Sequence, residues 1–274
     1  MSTVMTKIEY PYSFPSLPKV KVRVFGSPAN FRVEDWDDPD RFRPVAIKAA
    51  GLGIREIFVP KPSEFNGLVV DEESFPYTTK ICGVRVRYGA IADGVILKRG
   101  MSTAIITGDC PTVTMVAGKI VIVAHAGLAS LLPQPFRLGD SVIDRMMNLI
   151  PPELRASTEV LASCHVQPKS FIYPPDDQRY GEVNRERQRF IVDNYGHWAP
   201  WILPGLTMRN QKWCNEGKID LFYLIVAQIK RIEGQCTEIY DDCIDTAVPG
   251  SGFHSQRRDK ATSGRNAVLV WHHR

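Results

Sequence analysis

The chain has 274 residues, of which 44% are hydrophobic and 23% are charged, and its formal net charge at neutral pH is +4. This composition allows a full hydrophobic core and excludes an intrinsically disordered or fibrous chain. The charge excess is too small and too dispersed to indicate nucleic-acid binding, and no apolar run approaches the roughly 20 residues of a membrane-spanning helix. The opening residues lack the apolar core of a signal peptide, so we predict a cytoplasmic protein with no membrane partner.

The first third of the chain predicts an arm, a strand and a helix before several further strands. Residues 1–18 are rich in Pro, Ser and Tyr and are predicted to form an N-terminal arm. Residues 19–25 alternate basic and apolar side chains, as a strand with one exposed face does. A helix is predicted after Asp38, which suits an N-cap, with Pro39 in its first turn and Gly51 near its end. Further strands are predicted at 54–60, at 67–72 and, as a pair, within 82–98.

The rest of the chain continues this irregular alternation of strands and helices. Its strongest β signal is 102–125, where three runs rich in β-branched residues are separated by Gly-Asp-Cys-Pro and Gly-Lys. Helices are predicted at about 140–149, 182–195 and 218–234, and strands at 159–166 and 266–271. The order predicts an α/β fold with a mixed sheet and flanking helices. No linker interrupts the sequence, so residues 19–274 are predicted to form a single domain.

Common cofactor signatures are missing from the sequence. There is no GxGxxG, no P-loop and no HExxH, and the six cysteines form no CxxC pair. Without an export signal, free thiols are expected rather than disulfides.

Cys110 and His125 are the strongest candidate site residues. The two-residue connection Gly118-Lys119 between apolar runs is typical of a type II′ hairpin. In the register that such a turn imposes, Thr112 lies opposite His125. Cys110 then shares that face, because side chains alternate along a strand, with its backbone about 7–8 Å from His125.

This pair is compatible with two kinds of chemistry and with a structural role. The imidazole can withdraw the thiol proton and create a nucleophilic thiolate. Both side chains are also ligands that zinc prefers. Alternatively, the cysteine is a buried strand residue and the histidine lies at a sheet edge. The spacing alone leaves these alternatives open.

Several motifs resemble those of one known family. Thr107-Gly-Asp-Cys-Pro, the hairpin and His125-Ala-Gly resemble the TxDCxP…HAG core of the laccase-domain (YfiH-like) family. This family was formerly called multicopper polyphenol oxidases and is now regarded as purine nucleoside phosphorylases. The resemblance covers about residues 20–271. Further similar segments follow in the family's order: Asp37-Asp-Pro-Asp, Ala92-Asp-Gly, Ile219-Asp-Leu, Cys236-Thr, Ser255-Gln-Arg-Arg-Asp and Thr262-Ser-Gly-Arg.

The resemblance implies a fold, an activity and a cofactor. The fold is the mixed α/β fold shared with the cytotoxic necrotizing factor catalytic domain, itself a cysteine-histidine deamidase. The activity is phosphorolysis of adenosine, inosine or guanosine with inorganic phosphate as co-substrate, and possible adenosine deamination. The family holds zinc with a His, a Cys and a second His, of which Cys110 and His125 match the last two. The first histidine has no counterpart in residues 59–67, so zinc binding is expected to be weak or absent.

The remaining candidates concern an anion site and a replacement metal ligand. The guanidinium groups of Arg257, Arg258 and Arg265, with Ser255 nearby, match the geometry of a phosphate, although surface ion pairing is the simpler alternative. A third zinc ligand could come from His165 or His254. Glu64 lies in the right segment, whereas Lys61 is a poor ligand when protonated.

Three functions follow from these observations. The first is purine nucleoside phosphorolysis. The second is a metal-free Cys-His hydrolase or deamidase, and the third is a degenerate binding protein without catalysis. Copper-dependent oxidation of phenols is disfavoured, because a multicopper site needs more histidines than this chain offers.

Overall fold

The computed structural model describes residues 9–62, 67–209, 212–233 and 238–274, of which 208–209 and 212–214 by backbone only. Its strands are β1 Tyr12–Ser13, β2 Val20–Phe25, β3 Glu56–Phe58, β4 Val69–Val70, β5 Tyr77–Ile81, β6 Val84–Tyr88, β7 Gly94–Leu97, β8 Ser102–Thr107, β9 Thr112–Ala117, β10 Ile120–His125, β11 Glu159–Ser163, β12 Thr207–Arg209, β13 Lys212–Cys214, β14 Ile239–Asp241 and β15 Asn266–His272. Its helices are α1 Arg43–Gly51, α2 Leu128–Leu131, α3 Val142–Asn148, α4 Pro152–Arg155, α5 Gly181–Tyr195, α6 Ala199–Ile202, α7 Leu221–Ile232 and α8 Gln256–Asp259.

Two stacked mixed sheets form the centre of the molecule. One has seven strands in the order β1-β2-β15-β8-β3-β6-β5, and the other has six in the order β14-β11-β9-β10-β7-β4. Apolar side chains of both sheets, among them Ile105, Val123 and Val268, pack between them. The outer face of the first sheet packs on α1, and that of the second packs on α3 and α7. The predicted α/β class with flanking helices is confirmed, with the strands divided between two sheets.

Burial of both sheet faces explains the continuous apolar runs in the sequence. Every residue of β8, β9 and β11 is buried, because each sheet is covered on one side by helices and on the other by its partner. Strand β5 was missed by the sequence analysis, since its Tyr-Thr-Thr-Lys-Ile sequence is mostly polar and exposed at the sheet edge.

The predicted hairpin has the expected register. Strands β9 and β10 pair antiparallel with Thr112 opposite His125, and Gly118 in the turn has a φ of 59°. Strand β8 belongs to the other sheet, so the segment from 108 to 111 carries the chain across the sandwich. Cys110 therefore lies on a crossing loop beside the end of β10.

The N-terminal segment joins the fold through a short strand. Within the described part of the arm, β1 pairs with β2, and the ring of Phe14 is fully buried. The four described cysteines, Cys82, Cys110, Cys164 and Cys243, are free thiols. Among the described residues, no helix has the length and apolar character needed to cross a membrane.

Candidate functional site

A cavity of about 1100 Å³ opens where the crossing loop, the end of β10 and the C-terminal segment meet. Its wall includes Cys110, His125, Arg257 and Arg265. The structure thus brings together two pairs of residues, Cys110 with His125 and Arg257 with Arg265, that are distant in the sequence and that were predicted independently of each other. The other lining residues used below are Trp36, Asp93, Gly127, Phe171 and Tyr173.

Gly127 lets the thiol and the imidazole approach each other. A Cβ atom at this position would lie 2.9 Å from Cε1 of His125 and 3.2 Å from Sγ of Cys110. The first distance is shorter than real Cβ contacts, so only glycine fits without moving the histidine. The His125 side chain retains 17% exposure, and Cys110 is half-buried, so both groups remain accessible from the cavity.

Asp93 also lies close to the histidine ring. Its carboxylate is 1% exposed, and Oδ2 accepts a hydrogen bond from the Gly67 amide at 2.8 Å. Oδ1 lies 3.7 Å from Nδ1 of His125, and neither atom has a hydrogen-bond partner among the described residues. The His125 amide also donates to the Asp93 carbonyl at 2.7 Å. The thiol of Cys110 and the carboxylate of Asp93 therefore both lie beside the His125 ring in the cavity wall.

These neighbours favour the charged form of His125. Burial disfavours the imidazolium, but the interactions with Cys110 and with the carboxylate of Asp93 outweigh it and raise the pKa of His125 to about 10. His125 is consequently protonated at neutral pH. A protonated imidazole can donate a proton to a bound substrate or stabilise a thiolate.

Asp109 connects the crossing loop to the C-terminal segment. This side chain is 5% exposed, and its Oδ1 accepts from the Thr246 hydroxyl at 2.8 Å. Its Oδ2 accepts from the Arg257 amide at 2.7 Å, in the first turn of α8. The carboxylate thereby fixes the position of Arg257 relative to Cys110.

Two of the three predicted arginines face the cavity. The guanidinium of Arg257 lies 4.7 Å from the ring centre of Phe171 and 4.4 Å from that of Tyr173. Arg265 donates from Nη1 to Oε1 of Gln256 at 3.0 Å. Neither arginine has a carboxylate within salt-bridge distance in the described part of the chain. Their charges are available to an anion.

Arg258 and Ser255, which were also predicted to bind phosphate, lie outside the cavity wall. Arg258 binds Asp259 at 2.6 and 2.8 Å and donates to the carbonyls of Thr246 and Val248 at 3.0 Å each. Ser255 is fully buried and caps α8 by accepting from the Arg258 amide at 3.1 Å. Both residues shape the segment that carries Arg257.

The two histidines considered as replacement zinc ligands also have other partners. His254 Nε2 lies 2.8 Å from the Ala29 carbonyl. His165 is 1% exposed, with Nε2 3.0 Å from Asp241 Oδ1 and Nδ1 3.1 Å from the Val166 carbonyl. Glu64 lies outside the described residues. Neither histidine lines the cavity with Cys110.

The zinc site implied by the resemblance is therefore incomplete in the described residues. A catalytic zinc normally has three protein ligands, and the cavity supplies the sulfur of Cys110 and one histidine nitrogen. In the ranges described, only His165, Asp241 and Asp242 place three ligand atoms within 4.8 Å of one another. This buried group could bind a metal ion, but Asp242 already accepts from the Tyr10 hydroxyl at 2.6 Å and the Cys164 amide at 2.8 Å.

The His165–Asp241 pair predicts a dependence of stability on pH. Burial disfavours a charged His165, but the hydrogen bond to Asp241 outweighs it and raises the pKa of His165 to about 9. The folded state then holds this proton more tightly than the unfolded state, whose histidine pKa is about 6.5. The resulting stabilisation is complete below pH 6.5 or so and is lost as the pH rises through 9, on the order of 2–3 kcal/mol.

Denaturant unfolding of wild type and His165→Gln at several pH values tests this expectation. The difference in unfolding free energy between the two proteins should shrink as the pH rises from 6.5 to 9. His197→Gln serves as the control, because His197 is exposed in a turn beside Trp198. A constant difference over this range would contradict the assignment.

Comparisons with known proteins agree with the observed fold. The model of the multi-copper polyphenol oxidoreductase laccase family matches residues 69–273. A comparison with curated protein sequences gives no match. Three solved structures share the fold at low sequence identity. They are a Neisseria meningitidis DUF152 protein (19% identity, TM-score 0.65, covering 96% of this chain and 98% of that one), YlmD from Geobacillus stearothermophilus (15%, 0.64, 95% and 94%) and YfiH from Bacillus licheniformis (14%, 0.63, 92% and 92%).

Proposed function

The chain belongs to the multi-copper polyphenol oxidoreductase laccase family, and from this premise we propose that it is an enzyme that splits purine nucleosides with inorganic phosphate. The substrate class is adenosine, inosine or guanosine. One observation carries the proposal: a single cavity contains the Cys110–His125 pair, two arginines without carboxylate partners, and aromatic rings. These groups can donate a proton, bind an oxyanion and stack on a flat base, in that order.

The phosphate site of this proposal consists of Arg257 and Arg265. Guanidinium groups bind phosphate oxygens in a bidentate manner, and their charge strengthens these hydrogen bonds. Stacking on Phe171 and Tyr173 fixes the Arg257 side chain before a ligand arrives. A fixed guanidinium loses little conformational entropy on binding.

The purine is placed against the aromatic part of the wall. Trp36 is half-buried and lines the cavity, and its ring packs edge-on against the buried Phe42. An indole anchored in this way offers a fixed face to a flat heterocycle.

His125 supplies the proton in the proposed reaction. Phosphate held by the arginines attacks C1′ of the ribose while the bond from C1′ to the purine nitrogen breaks. The imidazolium donates its proton to the departing base, so the products are ribose 1-phosphate and the free purine, and His125 is reprotonated from water. General acid catalysis of this kind contributes about 10²- to 10⁴-fold.

A second candidate is a metal-free hydrolase or deamidase that uses Cys110 as nucleophile. The proximity of Cys110 and Asp93 to His125 favours it, because a carboxylate that orients the histidine is typical of cysteine-dependent hydrolysis. Copper oxidation receives no such support, since His125 is the single histidine among the described cavity residues.

The two candidates differ in their dependence on phosphate and on sulfur. Purified protein is incubated with adenosine or inosine, with and without phosphate, and the release of free base and of ammonia is followed. Phosphorolysis requires phosphate and retains measurable turnover in Cys110→Ser. A thiolate nucleophile instead predicts phosphate-independent turnover that Cys110→Ser abolishes. Binding of nucleoside without any turnover would contradict both candidates and support the non-catalytic alternative.

The proposed acid role of His125 predicts a pH profile. Because the active form is protonated and its pKa is about 10, kcat should change little between pH 7 and 9. Above pH 10 it should fall towards a tenfold loss for each unit. The measurement is kcat at saturating nucleoside and phosphate. A rate that rises with pH through this range would show that His125 acts in its neutral form.

A further inference from the structure

A second cavity lies at the opposite end of the seven-stranded sheet from Cys110. It has a volume of about 830 Å³ and opens where β3 and β8 begin, where β15 ends and where β5 turns into β6. Strand β8 runs from this cavity at Ser102 towards the crossing loop after Thr107, a length of roughly 20 Å at about 3.3 Å per residue. The second cavity is therefore separate from the proposed active site.

The wall of the second cavity carries an excess of positive charge even with its acidic residue included. Glu56 is the single acidic side chain among the described lining residues, and it lies 3.4 Å from Arg85. The cations of the wall that have no carboxylate within salt-bridge distance in the described ranges are Arg55, Lys80 and Arg274. A carboxylate at the end of the chain would be balanced by Lys19, whose Nζ donates to the Arg274 carbonyl oxygen at 3.0 Å. Three positive charges therefore remain without a counter-charge.

The buried His272 is an independent indication of a ligand. Its side chain lines the second cavity and is 5% exposed, and neither ring nitrogen has a hydrogen-bond partner in the part of the chain that the structure describes. Buried polar atoms are nearly always paired, so a missing partner requires an explanation. An anion in the cavity would supply the acceptor that the ring N–H lacks.

The surroundings of His272 also favour an anion. Burial lowers the pKa of this imidazole, and the positive charges of Arg99, Lys19 and His273 lower it further. The ring is thus neutral at neutral pH in a field of cations. A bound anion would offset that field.

The size and lining of the cavity indicate which class of anion fits. A volume of about 830 Å³ lies within the range of roughly 300–1,000 Å³ that small-molecule sites occupy. Trp271, the one indole among the described lining residues, is 6% exposed and presents no open face to a flat ring. Guanidinium and ammonium groups bind phosphate oxygens through charge-assisted hydrogen bonds. Three such cations match a chain of linked phosphates better than a single phosphate.

We infer that the second cavity binds an oligophosphate chain, either inorganic or carried by a small molecule. Arg55, Lys80 and Arg274 contact its oxygens, and His272 donates a hydrogen bond to one of them. This binding site goes beyond the proposed function, because it shares no residue with the Cys110 cavity.

Calorimetric titration of the full chain with inorganic triphosphate tests the inference. The protein carries Arg257→Ala and Arg265→Ala, so that the phosphate site proposed in the first cavity does not contribute. Triphosphate should bind at a ratio of about one per chain and at least about tenfold more tightly than sulfate at equal ionic strength, because each further charge-assisted contact contributes about that factor.

Neutral replacements in the same background locate the site. The pair Arg55→Gln and Lys80→Gln should lower triphosphate affinity at least about tenfold, and His272→Asn should lower it severalfold. The matched control is the pair Arg137→Gln and Arg189→Gln, which removes two exposed charges that line neither cavity and should leave the affinity unchanged.

Adenosine 5′-triphosphate distinguishes the two sources of the ligand. Affinity equal to or above that of inorganic triphosphate identifies a small molecule that carries the chain, and lower affinity identifies the inorganic chain; either result supports the inference. It is overturned if triphosphate does not bind, binds no more tightly than sulfate, or is weakened equally by the groove pair and the control pair. Turnover is not measured, so failure of phosphorolysis contradicts the proposed function alone.

Discussion

Replacing His125 by asparagine is expected to lower turnover by about 1,000-fold while the protein still folds. The amide has a similar shape but cannot carry the proton that the departing purine needs, and this role is worth about 10²- to 10⁴-fold. By the same linkage as for His165, the raised pKa of His125 stabilises the fold at neutral pH, so its loss should lower the free energy of unfolding by on the order of 2–4 kcal/mol, and kcat is referred to the folded fraction. The measurements are kcat with saturating nucleoside and phosphate, and denaturant unfolding.

His197→Asn is the control for this substitution. His197 lies outside the cavity wall, so its replacement should leave kcat unchanged. If His125→Asn retained a tenth or more of the wild-type rate, the proton would have to come from another group. The proposed role of His125 would then be wrong.

Replacement of the adjacent Arg257 and Arg258 by alanine is expected to change different quantities, the KM for phosphate in the first case and the free energy of unfolding in the second. Arg257→Ala should raise the KM for phosphate about 100-fold, because it removes a charge-assisted contact worth about 1.5–3 kcal/mol, and should change stability little. Arg258→Ala should instead lower the free energy of unfolding by about 2–3 kcal/mol, because three backbone carbonyls and Asp259 lose their donor. The folded fraction of Arg258→Ala should keep the wild-type KM for phosphate.

Steady-state kinetics with varied phosphate and parallel unfolding curves separate the two effects. The two residues are adjacent, so general damage to α8 would affect both variants alike. A phosphate KM raised equally in both variants, or raised only in Arg258→Ala, would show that the cavity arginine has been misassigned.

Local patterns predicted the part of the site that lies on one hairpin. The Gly118 turn determines the register of β9 and β10, which places His125 opposite Thr112 as predicted. Cys110 lies on the crossing loop before β9 and not on the strand, as the prediction had assumed. Both determinants lie within a few residues of each other in the sequence. The predicted N-cap Asp38 is local in the same way, and its side chain accepts from the Asp40 amide.

Contacts between distant segments could not be predicted. Arg257 and Arg258 are equivalent in the sequence, and only the direction of each side chain from α8 separates the cavity cation from the structural one. Asp93 appeared only as part of a motif, because its approach to His125 depends on the pairing of β7 with β10. The division into two sheets likewise depends on pairings between strands far apart in the chain.

The position of β15 has a consequence for biosynthesis. This last strand lies between β2 and β8 in the seven-stranded sheet, and the segment just before it supplies Arg257 and Arg265. A nascent chain that has emerged only as far as residue 250 carries Cys110 and His125 but lacks both the strand and the arginines. The thiol is therefore synthesised well before the arginines, and the complete site can form only after residues 257–272 have been synthesised. Chains that end before residue 257, whether stalled on the ribosome or cleaved, should have no activity.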